Sequence, residues 1–321
     1  MRKWLALAAT CVVALGIAAC GDDDDGDSGS GSSGGGGAGL SGNIRIDGSS
    51  TVAPLSEPAG EQFNNENPDV KVTVGTSGTG GGFEKFCAGE TDISDASRQI
   101  EDDEKKLCAK NGVEFTEIAV ANDALTVVVN PKNPVTCLTV AQLKAIWEPK
   151  SSVEGWGEVP KLEEDFDAEL KLFGPGTDSG TFDYFTEAIN GEESASRTDY
   201  NNVGEDDNAT VTGVSSAEGG MGYFGFSFFQ ENTDTLKALE VDDGDGCVAP
   251  SLETAQDGTY KPLARELYIY PSKKALEQPA VRQFVEFYIE SSEALAEQAG
   301  FIPLTAEQKQ QATEKVNQLA G

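Results

Sequence analysis

Apolar and polar positions alternate with a period of two over residues 43–47, where Ile44 and Ile46 share a side, and again over residues 70–74. That spacing predicts strands with one buried face. Each runs into small or hydroxyl-bearing residues: Gly48, Ser49, Ser50 and Thr51 after the first, Thr76 to Gly82 after the second. A helix is expected over residues 52–64, with Pro54 near its start, where a missing N–H costs little. A short amphipathic piece then carries Phe83 and Phe86 on one face. Residues 115–130 are nearly all apolar and read as a long buried strand pair, a candidate crossing between domains. Residues 138–147 read as a helix opened by Thr136 or Thr139. Residues 170–173 form another strand that enters a small-residue loop, 174–181, with a helix over 182–189. A Gly-aromatic strand region follows at 219–229, a returning strand at 263–270, and helices over 280–300 and 306–319. Alternating strands and helices predict an α/β fold.

Ahead of these elements, Arg2 and Lys3 precede an apolar run over residues 4–19, the layout of a secretory leader. A span needs ~20 apolar residues for a hydrocarbon layer of ~30 Å, so the run reads as a signal peptide over 1–19. Ile17, Ala18 and Ala19 before Cys20 resemble the lipobox of bacterial lipoproteins, in which that cysteine is diacylated and becomes the new N-terminus. Ordinary cleavage leaving a free cysteine is the other reading. Residues 21–42 hold ten Gly, five Ser and five Asp, so 20–42 reads as a lipidated cysteine with a flexible, self-repelling tether. Folding sequence begins near Asn43, with room for two ordinary domains before Gly321.

The balance of 23 basic against 55 acidic residues, formally −32, becomes more acidic still once Arg2 and Lys3 leave. It argues against nucleic acid as a partner. It also disfavours long-range steering of an anion, so an anion site here must work through short-range hydrogen bonds and local dipoles. Solubility is the plain explanation of so much acid. Of six cysteines, Cys11 leaves with the leader and Cys20 takes the lipid. Cys87, Cys108, Cys137 and Cys247 remain in an oxidising compartment, where an even number favours two disulfides. Three pairings are open; Cys87–Cys108 with Cys137–Cys247 is favoured because the first closes a local loop of about 20 residues, worth about 3 kcal/mol. A metal site is the rival use of these cysteines, but there is no CxxC pair and no histidine.

The chemistry is expected in the loops. Gly31–Gly35 and Gly37–Gly42 match GxSxG and GxGxxG literally, yet both lie in the tether and follow no strand. By contrast, Ser49–Thr51, Ser77–Gly82 and Asp178–Thr181 each place hydroxyls and free N–H groups at the start of a helix, where the dipole is positive. Each alone is compatible with a plain N-cap; together they can converge on a cleft between domains. Residues 92–98 add a cation, a carboxylate and hydroxyls: Arg98 can offer a fork of parallel hydrogen bonds to an oxyanion, and Asp95 can accept the proton of hydrogen phosphate. A surface ion pair between the two is the alternative. An enzyme such as a phosphatase has Ser and Asp available but lacks histidine as a base and any evident metal cluster. A surface adhesin is suggested only by the anchor.

The order and spacing of Gly48–Thr51, Ser77–Gly82, Asp95–Arg98 and Asp178–Thr181, with residues 262–270, resemble the phosphate-binding proteins of ABC phosphate importers over nearly all the mature chain. The resemblance implies a periplasmic-binding-protein type II fold: two α/β lobes of mixed sheets flanked by helices, joined by two crossing strands, with the ligand cleft between them. It places residues 43–125 and 265–321 in one lobe and 126–264 in the other. Ser50, Thr51, Ser77, Thr79, Gly80, Asp95, Ser97 and Arg98 would bind phosphate from the first lobe, and Ser179, Gly180 and Thr181 from the second. The pattern departs from many members at Pro175, where they carry arginine, and at Arg98, where they carry an acid. The cation therefore moves between lobes, leaving Asp95 as proton acceptor. The resemblance and the leader together imply a monomeric receptor with no cofactor or metal, held at the outer face of the cell membrane by its lipid, that takes inorganic phosphate to an ABC permease. A binder of another tetrahedral oxyanion is the near alternative.

Overall fold

The computed structural model describes residues 39–320. The leader, Cys20 and most of the tether lie outside the described residues. Folded sequence starts slightly earlier than expected, because Leu40 packs against the first core. The strands are β1 (Gly42–Gly48), β2 (Val70–Gly75), β3 (Ile93–Ala96), β4 (Ile118–Val129), β5 (Cys137–Thr139), β6 (Lys171–Gly174), β7 (Asn201–Asn202), β8 (Gly220–Gly225), β9 (Lys237–Ala238), β10 (Glu240–Asp242), β11 (Cys247–Val248) and β12 (Ala264–Pro271). Nine form one mixed sheet in the order β2-β1-β3-β12-β4-β8-β6-β7, with β9 also on β4, while β11, β10 and β5 form a small second sheet.

The apolar stretch expected as a strand pair is a single strand, β4, twelve residues long. Its first half pairs with β12 and its second with β8. A run buried along both halves needs no turn, and it contains no Gly or Pro to make one. The glycine-rich segment expected as a loop is likewise helical from Gly78, since the helix spans Gly78–Cys87. Glycine propensity opposes a helix there by about 1 kcal/mol per residue, but tertiary packing holds it: Phe83, Phe86 and Cys87 are buried against Tyr270 and Ala96.

Two large apolar cores lie along the sheet. One joins Ile44, Ile46 and Ile93 to Phe63 of helix Ala53–Glu66 and to Phe284 and Tyr288 of helix Pro279–Gln298. The other joins Val127, Val129 and Met221 to Trp147, Phe185 and Tyr260. On β4 the first core ends at Ala121 and the second begins at Leu125; on β12 the change falls between Leu263 and Leu267. Four of the six residues between are polar, Asn122, Asp123, Arg265 and Glu266; the other two are Ala124 and Ala264. Both crossing strands thus carry charge where neither core continues.

Cys87 bonds to Cys108 and Cys137 to Cys247. Cys137 and Cys247 also lie beside Glu240, but their sulfurs are joined to each other and so are not thiolate ligands. No helix among the described residues is long and apolar enough to cross a membrane.

Candidate functional site

Strands β2 and β3 both run parallel to β1. Their carboxyl ends therefore deliver three following segments to one edge, the place where open α/β sheets offer ligand crevices. Ser49, Ser50 and Thr51 follow β1, Ser77 and the glycine helix follow β2, and Ser97 and Arg98 follow β3. A cavity of about 320 Å³ opens there, with Ser50, Thr51, Ser77, Thr79, Gly80 and Ser97 on its wall. The hydroxyls already order one another. Thr79 Oγ1 accepts from Ser97 N–H at 3.2 Å and lies 3.1 Å from Ser97 Oγ. Ser77 donates through both N–H and Oγ to Asp47, at 3.1 and 2.5 Å, and Lys85 takes the other carboxylate oxygen at 2.6 Å. Burial works against that carboxylate's charge, yet Lys85 and Ser77 hold Asp47 below its ordinary pKa.

Asp95 is not on this wall. Its side chain is completely buried and neither carboxylate oxygen has a hydrogen-bond partner. The cause is the period of the strand: residue 95 shares the side of β3 that carries Ile93 into the first core. There it sits near Ser56 and Tyr288, whose hydroxyls pair with each other at 2.9 Å. Burial, helped by the charge of Asp47 and opposed by Ser56, pushes its pKa up to about 8. The geometry therefore places Asp95 off the cavity wall, as a buried acid of the first core.

Arg98 does reach the cavity, but its fork is occupied. Nη1 and Nη2 donate to the two oxygens of Glu104 at 2.9 Å each, and Nε lies 3.5 Å from Glu101. The bond from Glu104 raises the Arg98 pKa against the effect of burial. On the opposite side, Gly180 opens the short helix Gly180–Phe185 and abuts Thr51 so closely that an added Cβ would lie 3.3 Å from Thr51 Oγ1. Ser179 is buried beside it. From this side the cavity wall consists of Asp183, Tyr184, Glu187 and Glu193, further along than the expected Ser179, Gly180 and Thr181.

The wall also contains Arg265, from β12, which the reading of the loops missed. Its backbone lies directly opposite Asp123 of β4, and its Nε donates to Asp123 Oδ2 at 3.2 Å. The signal available in the sequence was a single cation inside a strand otherwise destined for burial, with a single carboxylate inside the other crossing strand.

A family model for the PBP superfamily domain matches residues 33–293. The chain is 45% identical over 279 residues to Protein SphX of Synechococcus elongatus, covering 85% of this chain and 80% of that one. It is 38% identical over 328 residues to Phosphate-binding protein PstS of Staphylococcus saprophyticus, covering 100% and 96% of the two chains. A solved structure of a possible phosphate binding protein from Planctomyces limnophilus superposes with a TM-score of 0.84 at 43% identity, over 88% of this chain and 100% of that one. The chain belongs to the PstS-like family of phosphate-binding proteins.

Family membership gives the two-lobed type II fold and places the chain among solute-binding receptors rather than enzymes. The cavity wall is rich in acids. Two arginines on the wall face three carboxylates, Asp183, Glu187 and Glu193. Burial, then the charges of Asp183 and Glu187, hold Glu193 above its ordinary pKa, and it shares a hydrogen bond with Asp183.

Proposed function

We propose that this chain is an extracytoplasmic lipoprotein that captures inorganic phosphate and delivers it to an ABC importer in the membrane to which Cys20 anchors it. The observation that carries the reading is the cavity at the carboxyl ends of β1, β2 and β3, where the hydroxyls of Ser50, Thr51, Ser77, Thr79 and Ser97 meet the first turn of helix Gly78–Cys87. Donors on a helix N-terminus hold an oxyanion by short-range bonds, which suits a protein of net charge −32. Phosphate binding by relatives named for it supports the choice of oxyanion. Ser179, Gly180 and Thr181 would join from the second lobe as the Gly180–Thr51 contact rearranges. Lobes of residues 43–125 with 265–321, and of 126–264, would move by bending β4 and β12 where the two cores change over. The tether after Cys20 would let the receptor reach solute and still dock on its permease.

Calorimetric titration of the full chain with phosphate and with sulfate tests this reading. Saturable phosphate binding that equimolar sulfate does not displace is expected; absence of heat with phosphate refutes it, and displacement by sulfate would leave only a general oxyanion receptor.

With Asp95 turned inward, the acceptor for the proton of hydrogen phosphate falls to the wall carboxylates. Asp183 and Glu193 engage each other, which leaves Glu187, whose charge also faces Arg98. Sulfate has no proton to give and meets that carboxylate as a repulsion. Glu187→Gln should therefore narrow the preference for phosphate over sulfate by roughly tenfold, mainly through tighter sulfate binding. An unchanged ratio in competition titrations would remove Glu187 from this role.

A further inference from the structure

We propose that Arg265 is the cation that holds the anion in this cavity and ties its presence to closure of the two lobes, with Arg98 in a lesser part. The inference rests on the reading that the cavity takes phosphate, and it assigns a specificity-determining residue within it.

Guanidinium carries five N–H donors in a fixed fork. In Arg98 one proton on each terminal nitrogen goes to Glu104 at 2.9 Å, the second on Nη1 goes to Gln99 O at 3.2 Å, and Nε lies 3.5 Å from Glu101, which leaves one Nη2 proton. Arg265 is arranged differently. Nε meets Asp123 Oδ2 at 3.2 Å and one Nη2 proton meets Thr51 Oγ1 at 3.3 Å. Its three other N–H groups have no partner among the described residues. The pair is well shielded, with the Arg265 side chain 13% exposed and that of Asp123 7%. Burial acts to raise the Asp123 pKa and Arg265 acts against it. A carboxylate on one edge and unengaged donors on a cavity-facing residue are what a bidentate oxyanion contact requires.

Position adds the second part. Arg265 stands on β12 at the changeover between the two cores, and it touches elements on both sides of it. Thr51 belongs to the segment after β1. Tyr184 belongs to the helix packed on the second core, and its ring centroid lies 3.4 Å from the Arg265 guanidinium carbon. The Tyr184 hydroxyl donates to Pro262 O at 2.9 Å, which fixes the ring against the approach to β12. Cation–π attraction strengthens as water is excluded. The lobe arrangement that keeps Tyr184 over the guanidinium, as it stands here, and an anion that occupies its free edge therefore favour each other, because each removes water from the same group. Thermodynamic linkage makes that preference mutual.

The test titrates phosphate into the full-length chain and its variants, with small-angle scattering of each at saturating phosphate. Arg265→Gln should weaken phosphate roughly 100-fold or more, since charged hydrogen bonds are lost. Arg265→Lys should still lose roughly tenfold, because an ammonium cannot supply the fork. Arg98→Gln should cost less than either. Tyr184→Leu should weaken binding and leave the phosphate-saturated chain more extended than wild type. Arg265→Gln strands a buried Asp123 charge, so the double variant Asp123→Asn/Arg265→Gln serves as control: it should unfold near the native temperature and still bind phosphate weakly. If wild type binds no phosphate, the functional reading fails and this inference with it. If wild type binds, then near-native affinity in the double variant, or a larger loss from Arg98→Gln than from Arg265→Gln, overturns the role of Arg265 alone.

Discussion

Asp95→Asn is expected to flatten a fall in stability that the native chain shows between about pH 4 and pH 8. Asp95 is fully buried with neither oxygen hydrogen-bonded, and desolvation together with Asp47 lifts its pKa from 3.8 to about 8. Between those two values the folded chain keeps a proton that the unfolded chain has released. Stability then declines as pH rises, by about 1.4 kcal/mol per pH unit, and levels off above the folded-state value. Below 3.8 both states are protonated and the penalty vanishes. Integrated across the window, the cost is on the order of 4–6 kcal/mol at pH 8. Asparagine is nearly the same shape and cannot ionise, so urea midpoints of the variant should exceed those of the native chain at pH 8 and converge toward them at pH 4. Parallel curves for the two proteins over that range would show that Asp95 is charged in the fold, and its assignment to the first core would have to be abandoned.

The same residue shows where a sequence can and cannot be read. The alternation of Ile44 and Ile46, and the small residues after each parallel strand, suffice to predict three loops at one sheet edge, because both signals are local. Which side of β3 faces the loops is not local. Ser94 and Asp95 are both polar and both fully buried, and only the packing of Ile93 against helices Ala53–Glu66 and Pro279–Gln298 decides that residue 95 takes the side of the first core. Arg265 was hidden for a related reason. A lone cation in an apolar strand has meaning only once the register sets it opposite Asp123, and that register depends on two segments far apart in the chain. Arg98 was legible as a cation among the loops, but Glu104, which occupies its fork, lies in the next helix, Asp102–Lys110, where it also closes a capping box with Glu101. Pairings across long loops, rather than residue types, are what the loops alone left undetermined.

Gly48→Ala is the substitution expected to damage fold and site together. Gly48 ends β1 with φ at +150°, a backbone conformation costing roughly 1–3 kcal/mol for a residue with a side chain. Space is lacking as well. A Cβ at Gly48 would lie 2.0 Å from the Asp95 carbonyl oxygen and 2.9 Å from the Asp95 carbonyl carbon and nitrogen, all of them backbone atoms with no rotamer to yield. Behind it, a Cβ at Gly82 would come within 2.5 Å of the Gly48 Cα. The ends of β1 and β3 and the glycine helix therefore converge with no side chain between them, which is how Ser50, Thr79 and Ser97 reach one cavity. Relief of the clash must push β1 away from β3 at the bond from Ser49 N–H to Asp95 O, now 3.0 Å long. Strain and overpacking together should cost about 3–5 kcal/mol, lowering the unfolding midpoint by roughly 6–20 °C for a domain of this size. Phosphate affinity should fall even where the variant remains folded, because Ser49, Ser50 and Thr51 move with the displaced strand end. Thermal unfolding and phosphate titration of the same preparation separate the two effects. A variant as stable as the native chain, binding phosphate equally well, would mean that the close approach of Gly48 to Asp95 is not what builds the site.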